Sequence, residues 1–437
     1  MSKSFLIQDG NDIKYIPDSG MLTTIGQIPY TEEMFDLHGM INLSLFTPVE
    51  QNLITNNKYS IALLTKHVLY GFDIDESISD PSSAVTYTDD AVGFTPISVN
   101  SSGVVNYGSW KDSDLLNGNK PCLLKNGKVN YYLNPNDYTK KEDGSASDIT
   151  SGNDGDVMAE FKQMWYKFEK NGNIISFRLA NYKVDDTYCS NAFISEADYS
   201  TLCPYMYIGT YNGYNLSSKL RSLSGVNSTV NTNISQFRTL ATNNGSGYQQ
   251  LTFSKYQYLA ALLVLVSKSI NIQAALGNGR CNTSSQIING SMNTKGQFWG
   301  NFDSVSGVKT FHIENLYGNI WQCLDGLGNS YMQYKYKNIG PYNDSYSDYI
   351  SGGSIPSSGY TKSMLSNNSI GLLPSTIGGS SSTYYSDYIY SSNSLYVCFV
   401  GGYLSNALYD GPFSLNLNSS ASAVGSGIGS RSSFTGI

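Results

Sequence analysis

The chain has 437 residues, of which 14% are charged, and its formal net charge at pH 7 is −7. This length is sufficient for two or three domains with a large buried core, whereas the charged fraction is well below the usual value of about a quarter. The acidic balance and the lack of Lys/Arg clusters exclude nucleic acid as the expected partner, because phosphate recognition requires basic patches.

Tyrosine and uncharged polar residues are abundant, with 35 Tyr and 42 Gly in the chain. Tyr, Ser, Gly and Asn dominate binding surfaces such as antibody paratopes, because they combine contact area with hydrogen bonding. An A/T-rich genome favours Asn, Tyr, Ile and Lys codons and explains part of the same excess. The composition therefore permits a binding surface but does not establish one.

The cysteines and histidines are scattered, and no C-x-x-C pair occurs. We therefore predict no metal site and no cofactor, and we expect buried free thiols, with one or two disulfides formed after release from the cell as the alternative. His38, His67 and His312 are isolated in sequence, and each is expected to have a structural role.

The N-terminal run Met1–Ile7 becomes polar at Gln8, so no signal peptide is expected. The longest apolar run, Tyr258–Val266, is too short to span a bilayer. We expect a protein that is made in the cytoplasm, is not inserted into a membrane, and leaves the cell by a route such as lysis.

Residues 1–72 are predicted to form a separate N-terminal module. It opens with the strand pattern Phe5–Ile7, a turn at Asp9–Asp12 and a second strand at Ile13–Ile16, followed by a short helix capped by Thr31. Its segments L-I-x-D-G-x-D-I-K-Y and T-E-E-x-F-x-x-H-G-M resemble N-terminal segments of tail-fibre and other virion appendage proteins in phages of Gram-positive bacteria. The resemblance implies a virion-attachment role, and an ordinary small α+β cap is the alternative.

Residues 73–437 are predicted to form one α+β binding domain, whose opening part, residues 73–155, is rich in strands and loops. Asn126-Gly127 lies between two apolar runs, which is the strongest short-range signal for a hairpin. Asn171-Gly172 also lies between two apolar runs and predicts a second hairpin. These two hairpins would lead into a β-rich body.

A long helix is predicted after the hairpins. Ser254 and Gln257 have the spacing of a capping box, and Gly277 marks the expected end. Between them, five apolar residues recur at helical spacing and are expected to face the core: Leu259, Leu262, Leu263, Val266 and Ile270.

From about Tyr331 the chain is rich in Tyr, Ser, Gly and Asn, and we expect long loops there. Tyr346–Ile350 and Tyr385–Ile389 are near copies, but their spacing is too irregular for a repeat architecture. Long loops in a compact domain are usually functional or disordered, and the aromatic content argues against disorder.

Three segments carry a second resemblance. Ile313–Gln322 reads I-E-N-L-Y-G-N-I-W-Q, Val400–Tyr403 reads V-G-G-Y, and Ile428–Arg431 reads I-G-S-R. They resemble the N-x-x-G-N-V-W-E-W, R-G-G-S-W and I-G-F-R elements of formylglycine-generating-enzyme-like (sulfatase-modifying-factor) domains, which implies a C-type-lectin-like fold with long irregular loops. The resemblance implies a structural role for Asn315, Gly318, Asn319, Trp321, Gly401, Gly402 and Arg431.

The chemistry of that family is missing. Its catalytic members carry cysteines shortly after the double glycine or an iron-binding histidine cluster, and no Cys or His follows Gly402 here. The carboxylates at Asp73–Glu76, Asp89–Asp90 and Asp185–Asp186 match no known ligand spacing, so we expect solvated loop charge. A glycosidase, which needs only two placed carboxylates, is the enzyme class that the sequence excludes least. The prediction is a protein that is not an enzyme.

The two resemblances together imply a phage tail-fibre or receptor-binding protein, located on the virion at the tail or baseplate in preference to the capsid surface. Residues 1–72 would bind other virion proteins, and the remainder a host cell-surface glycan or protein, as a homo-oligomer with a trimer favoured. Aromatic faces stack on sugar rings, and the candidate ligand contacts are Tyr384, Tyr385, Asp387, Tyr388, Tyr403 and Tyr409. The alternatives are a capsid or head-fibre decoration protein with a lectin-like domain and a cell-encoded adhesin.

Overall fold

The computed structural model describes residues 67–436 and, before them, the strands Phe5–Asp9 and Asp12–Ile16. Strands account for 38% of the structure and helices for 11%, so the fold is mixed and β-rich. The chain divides into two compact units, Met1–Leu69 with Ala180–Tyr182 and Tyr70–Leu179 with Lys183–Ile437.

The strands of the first half are β1 (Phe5–Asp9), β2 (Asp12–Ile16), β3 (Leu69–Asp75), β4 (Val85–Asp89), β5 (Ser98–Val99), β6 (Val105–Asn106), β7 (Asn119–Lys125), β8 (Lys128–Asn134), β9 (Asp137–Lys141), β10 (Asp156–Lys162), β11 (Trp165–Asn171), β12 (Ile174–Ala180), β13 (Tyr205–Gly209), β14 (Tyr214–Leu216) and β15 (Lys219–Arg221). Those of the second half are β16 (Tyr248–Gln250), β17 (Lys309–Thr310), β18 (Ile313–Glu314), β19 (Trp321–Ser330), β20 (Gln333–Tyr336), β21 (Ile350–Ser354), β22 (Gly359–Asn367), β23 (Gly371–Ile377), β24 (Tyr388–Ser391), β25 (Leu395–Gly401), β26 (Gly411–Ser419), β27 (Ile428–Gly429) and β28 (Ser432–Phe434).

In the smaller unit, β1 and β2 form an antiparallel pair in which Phe5 is opposite Ile16 and Asp9 is opposite Asp12. The two strands predicted at the start of the chain are therefore confirmed. The predicted helix at Thr31, His38 and the rest of the N-terminal module up to residue 66 lie outside the described residues.

The larger unit contains a seven-stranded sheet, a four-stranded sheet and a nine-stranded sheet. In the seven-stranded sheet the order is β16-β28-β13-β10-β7-β8-β9, so the C-terminal strand β28 lies between β13 and β16. The four-stranded sheet has the order β11-β12-β3-β4, and the nine-stranded sheet runs β21-β20-β19-β25-β26-β24-β22-β23 with β27 paired to β19. The end of the chain is thus hydrogen-bonded to strands more than a hundred residues earlier.

Both predicted Asn-Gly hairpins are confirmed. β7 and β8 pair antiparallel, and Asn126 and Gly127 between them have φ values of 52° and 75°. This left-handed pair is the backbone of a turn whose twist matches the strands that it joins. β11 and β12 are neighbours in the four-stranded sheet and are joined through Gly172 at φ 59°.

The long helix is shorter than predicted and is capped differently. It spans Phe253–Ser267 with Thr252 at its N-cap, and it ends at Lys268, which has a left-handed φ of 52°. A separate helix, Ile272–Leu276, then ends at Gly277. The predicted capping role of Gln257 is wrong because its Oε1 accepts a hydrogen bond from the Leu372 backbone N–H at 2.8 Å.

All fifteen residues of Phe253–Ser267 are buried, so this helix is a central core element and has no solvent face. Two further helices are Asp114–Asn117 and Ile234–Thr242. The sequence prediction missed the second, although Asn233 and Gln236 form a complete capping box at its start.

The prediction of a C-terminal third made mainly of loops is wrong. Six strands of at least four residues, β21 to β26, lie between Ile350 and Ser419. Their Ser, Gly and Asn content hides the usual alternation, but neighbouring strands still pair, as β22 does with β23 from Thr361 to Asn367 despite two register shifts. Tertiary pairing therefore overrides weak local β-propensity here.

The predicted boundary before residue 73 falls inside a strand. β3 begins at Leu69, and its residues Tyr70 and Phe72 are buried in the larger unit. The larger unit accordingly begins several residues earlier than predicted.

Candidate functional site

The segment Ile313–Gln322 owes its shape to three residues in the left-handed backbone region. Asn315, Gly318 and Asn319 have φ values of 53°, 74° and 70°. A Cβ at Gly318 would also lie 2.9 Å from the backbone nitrogen of Arg280, so this position requires glycine for space as well as conformation. Asparagine tolerates the left-handed region better than most residues, which explains its use at the other two positions.

The same segment is fixed to its surroundings by side chains. Asn319 accepts a hydrogen bond from the Ile287 backbone N–H at 3.0 Å and donates to Asn212 Oδ1 at 3.1 Å. Trp321 packs in a core cluster with Phe237 and Phe399, and only 8% of it is exposed. Asn319 and Trp321 are therefore placed as structural residues, as the sequence suggests.

The double glycine Gly401-Gly402 at the end of β25 allows two close approaches. A Cβ at Gly401 would lie 2.8 Å from the Leu316 carbonyl oxygen, and one at Gly402 would lie 1.9 Å from Asp410 Oδ1. The Gly401 carbonyl oxygen accepts a hydrogen bond from the Gly318 N–H at 2.8 Å. The double glycine and the segment Ile313–Gln322 are thus in direct contact.

Arg431 is fully buried, and each of its five guanidinium N–H groups has an acceptor. The Nε–H donates to Gln322 Oε1 at 2.7 Å, and the other four N–H groups donate to backbone carbonyls: those of Gly209 and Thr210 at 2.7 and 3.1 Å, and those of Glu314 and Asn315 at 2.8 and 3.0 Å. One side chain therefore joins the ends of β13 and β18 to the start of the C-terminal strand β28, which Arg431 directly precedes.

Two of the predicted ligand contacts are wrong for a surface ligand, because Tyr385 and Asp387 are both 0% exposed. The Tyr385 hydroxyl donates to Glu76 Oε1 at 2.8 Å, and Asp387 Oδ2 accepts from the Phe413 N–H at 2.7 Å. These side chains lie in the interior, where they bind other parts of the chain.

The remaining predicted contacts fall in or near a cluster of four tyrosines, which we call the surface tyrosine cluster: Tyr360, Tyr388, Tyr390 and Tyr409. Tyr360 of β22 is directly opposite Tyr388 of β24 in the antiparallel register. Tyr390 lies two residues further along β24 and so shares a face with Tyr388, while Ile389 between them is buried. Tyr409 ends a short 3-10 turn, and 40% of it is exposed.

The four rings contact one another. The centroid of the Tyr388 ring lies 5.3 Å from that of Tyr360, 4.7 Å from that of Tyr390 and 4.9 Å from that of Tyr409. Tyr390 in turn meets the core residue Trp321 edge-on at 5.9 Å. The cluster is therefore a row of aromatic rings that runs from the core to the surface.

Tyr384 and Tyr403 are half-buried and lie beside this cluster in the chain without a ring contact to it. Lys362 Nζ lies 5.4 Å from the centroid of the Tyr384 ring. Tyr403 packs against the core cluster that contains Trp321. Sequence reasoning missed Tyr360 and Tyr390, although the alternation Tyr388-Ile389-Tyr390 is a strand signal that places both tyrosines on one face.

The carboxylates predicted as solvated loop charge are partly ion-paired. Arg178 binds Asp73 Oδ1 at 2.8 Å and Asp89 Oδ2 at 2.6 Å, and buried Glu76 pairs with Lys170 at 2.6 Å. For these three residues the prediction is wrong, since each carboxylate is paired with a cationic side chain of a different chain segment, Arg178 of β12 or Lys170 of β11.

Within the described residues, no group of three or more His, Cys, Asp or Glu could hold a metal ion. All six cysteines are free, and burial raises the pKa of Cys189 and Cys281 to about 11, so these thiols are weak nucleophiles at neutral pH. No helix in the described part of the chain is long and apolar enough to cross a membrane. No family model and no curated protein matches this chain.

Proposed function

We propose that the chain is a non-enzymatic phage tail-fibre or receptor-binding protein, and that its surface tyrosine cluster recognises a host cell-surface glycan. The observation that carries the proposal is the cluster itself. Four tyrosine rings contact one another, one of them reaches core Trp321, and Tyr409 is 40% exposed.

A C-type-lectin-like fold for the larger unit is part of the proposal. The three segments that resemble formylglycine-generating-enzyme-like domains meet in space: Gly318 donates to the Gly401 carbonyl oxygen at 2.8 Å, and Arg431 donates to the Glu314 carbonyl oxygen at 2.8 Å. A buried helix packed against mixed sheets, Phe253–Ser267, also fits that fold. Segments that are far apart in sequence thus form one structural centre, which supports a common origin with those domains.

The chemistry of the cluster suits a sugar. Aromatic faces pack on the apolar faces of pyranose rings, and phenol hydroxyls exchange hydrogen bonds with sugar hydroxyls. Rings that are already held by their neighbours lose little side-chain entropy when a ligand binds. Individual sites of this kind are weak, so the proposed trimer would gain adsorption strength through multivalency.

The proposal is tested by replacing Tyr388 and Tyr409 together with Ala in the full chain and measuring binding to host cells. We expect at least a tenfold loss of binding, since each lost aromatic contact is worth about 1 kcal/mol. Tyr205→Ala is the matched control, because Tyr205 is 37% exposed and lies in the seven-stranded sheet. Binding that is unchanged in the double variant, with its fold verified by circular dichroism, would contradict the proposed binding surface.

The proposed location on the phage tail and the proposed attachment through residues 1–72 are both inferred from the resemblance of the N-terminal segments to virion appendage proteins. Cryo-electron microscopy of the intact particle tests both, with density for residues 1–72 expected at a junction with another tail protein. Density on the capsid surface, together with normal adsorption by particles that lack the protein, would favour the decoration function instead.

A further inference from the structure

Asp387 contacts each of the three chain segments that present the surface tyrosine cluster. It lies directly before β24, which carries Tyr388 and Tyr390, and it is 0% exposed. The other two segments are the start of β22, with Tyr360, and the segment that leads into β26, with Tyr409. A residue that contacts all three segments can fix the spacing of rings that lie on different strands.

The backbone of Asp387 holds the segment with Tyr360. The Thr361 N–H donates to the Asp387 carbonyl oxygen at 3.1 Å, and in the adjoining register Tyr360 is opposite Tyr388. The ring centroids of these two tyrosines lie 5.3 Å apart. A shift of the backbone at Asp387 would therefore move the Tyr360 and Tyr388 rings relative to each other.

The carboxyl group of Asp387 holds the segment that follows Tyr409. Its Oδ2 accepts a hydrogen bond from the Phe413 N–H at 2.7 Å. A Cβ at Gly411 would lie 2.2 Å from Asp387 Oδ1, so the carboxyl group occupies the space that a side chain of residue 411 would need. Gly411 is two residues after Tyr409, whose ring centroid lies 4.9 Å from that of Tyr388. The carboxyl group thus sets how closely the Tyr409 segment approaches β24.

The carboxyl group has this role as a neutral acid, since burial raises the pKa of Asp387 well above its ordinary value. A side-chain amide has nearly the same shape, is neutral and keeps one oxygen acceptor. Asn can therefore replace Asp387 here. Ala cannot, because it leaves the buried Phe413 N–H without an acceptor and opens a cavity.

We propose that Asp387 is a positioning residue of the glycan-binding surface, which does not touch the ligand but holds the rings of Tyr360, Tyr388 and Tyr409 in the arrangement that the ligand contacts. This inference rests on the proposed function of the surface tyrosine cluster. Rings from separate strands bind a rigid sugar well only if they are held in one geometry before binding, because ordering them during binding costs free energy.

The experiment compares two disruptive variants of the full chain, Asp387→Ala and Asp387→Glu, with the conservative variant Asp387→Asn. Glu keeps the acid but adds a methylene group against Gly411, where the packing leaves no room. The control is Asp156→Ala, because Asp156 is also buried and accepts from a backbone N–H, that of Ser222 at 2.8 Å, but lies in the seven-stranded sheet.

Melting temperatures are measured first, and host-cell binding is then measured at a temperature at which the variants are folded. We expect Asp387→Ala and Asp387→Glu to bind about fivefold more weakly, as for the loss of one aromatic contact. Asp387→Asn and Asp156→Ala should bind like the wild type. If Asp387→Ala does not fold, Asp387→Glu provides the test.

A single 3-fluorotyrosine introduced at position 409 gives a second readout, because its fluorine chemical shift reports the packing of that ring. The resonance should move in Asp387→Ala and Asp387→Glu and stay in place in Asp387→Asn and Asp156→Ala. A loss of binding in Asp387→Asn or Asp156→Ala equal to that in the disruptive variants would overturn the positioning role.

Wild-type binding by the disruptive variants would also overturn it, and the binding of the variant with both Tyr388→Ala and Tyr409→Ala then separates the two proposals. If that variant loses binding, the glycan-binding surface stands without the positioning role. If it binds like the wild type, the proposed function fails as well.

Discussion

Arg431 and Gln322 form a buried pair in which the guanidinium Nε–H donates to the amide Oε1 at 2.7 Å. The segments that this region resembles have a glutamate at the position of Gln322. The amide meets two requirements at once, because it accepts from Arg431 and its Nε2 donates to the Leu316 carbonyl oxygen at 2.9 Å. A carboxylate could not make the second contact. Burial lowers the pKa of Arg431 to about 9, opposed by the charge of Glu314.

Arg431→Lys is expected to destabilise the chain by about 3 kcal/mol or more, because an ammonium has three donors and cannot replace five fixed N–H groups whose acceptors are buried. Urea denaturation of the two proteins measures the difference. Arg280→Lys is the control, since Arg280 also donates several hydrogen bonds but at an exposed to part-buried position, and it should cost less than Arg431→Lys. Equal losses of stability in the two variants would show that the five hydrogen bonds of Arg431 do not make a special contribution to stability.

Tyr385 is expected to contribute to stability and not to host binding. Its hydroxyl donates at 2.8 Å to Glu76, a carboxylate that also accepts from Lys170 and from the Met364 N–H. Tyr385→Phe should cost about 1.5–3 kcal/mol, as expected for a hydrogen bond to a charged group. Tyr385→Ala should cost about 3–5 kcal/mol because it also leaves a cavity.

Calorimetric melting of these two variants beside Tyr409→Ala checks this prediction. The exposed Tyr409 should change stability by less than about 1 kcal/mol when replaced. If Tyr385→Ala melted like the wild type, the buried position of this residue would be refuted. A substitution that includes Tyr385 is unsuitable for mapping a binding surface, since it would confuse unfolding with lost recognition.

The structural residues could be predicted because a left-handed backbone conformation or a close backbone approach restricts a position to a few residue types, mainly glycine and asparagine. Gly318, Gly401 and Gly402 all have positive φ, and each faces a backbone or side-chain atom that a Cβ would meet. The Asn-Gly hairpin at Asn126 belongs to the same class of signal. Such positions depend on a few neighbouring residues, so the sequence carries the information directly.

The binding surface could be predicted only in part because exposure depends on pairing between distant strands. Tyr385 and Tyr388 are three residues apart and of one type, yet the first is buried and the second reaches the surface tyrosine cluster. Tyr360 joins that cluster only through the register of β22 with β24. No local pattern near Tyr360 encodes this register.

A fragment that begins at Leu69 is expected to fold cooperatively, whereas one that begins at Asp73 is expected to be severely destabilised. The shorter fragment loses Tyr70 and Phe72, whose rings lie 5.1 Å from Trp110 and 5.3 Å from Phe177, respectively. Loss of one buried aromatic ring already costs about 3–5 kcal/mol. Thermal melting of both fragments measures the difference in stability. If both fragments unfolded cooperatively at the same temperature, the domain boundary would lie within β3, before Asp73, and the prediction would be wrong.

His312 is expected to make the protein less stable as the pH falls. It is buried, its Nδ1 lies 2.6 Å from the Tyr138 hydroxyl, and Lys309 Nζ lies 3.8 Å from the centroid of the Tyr138 ring. Burial, reinforced by the charge of Lys309, holds the pKa of His312 well below 6.5. The unfolded chain therefore takes up a proton below pH 6.5 that the folded chain does not bind, so stability is lost as the pH falls through that value.

His312→Asn is the variant that isolates this effect, because His312 has a left-handed φ of 64°, which asparagine tolerates. The buried neighbours Lys309 and Glu314 also titrate, but they are present in both proteins. Between pH 7 and pH 5, the stability of the wild type relative to the variant should fall by about 2 kcal/mol, as follows from a histidine that is protonated only when unfolded. Urea denaturation of both proteins at pH 7, 6 and 5 measures this, and parallel pH profiles would mean that His312 binds its proton in the folded chain.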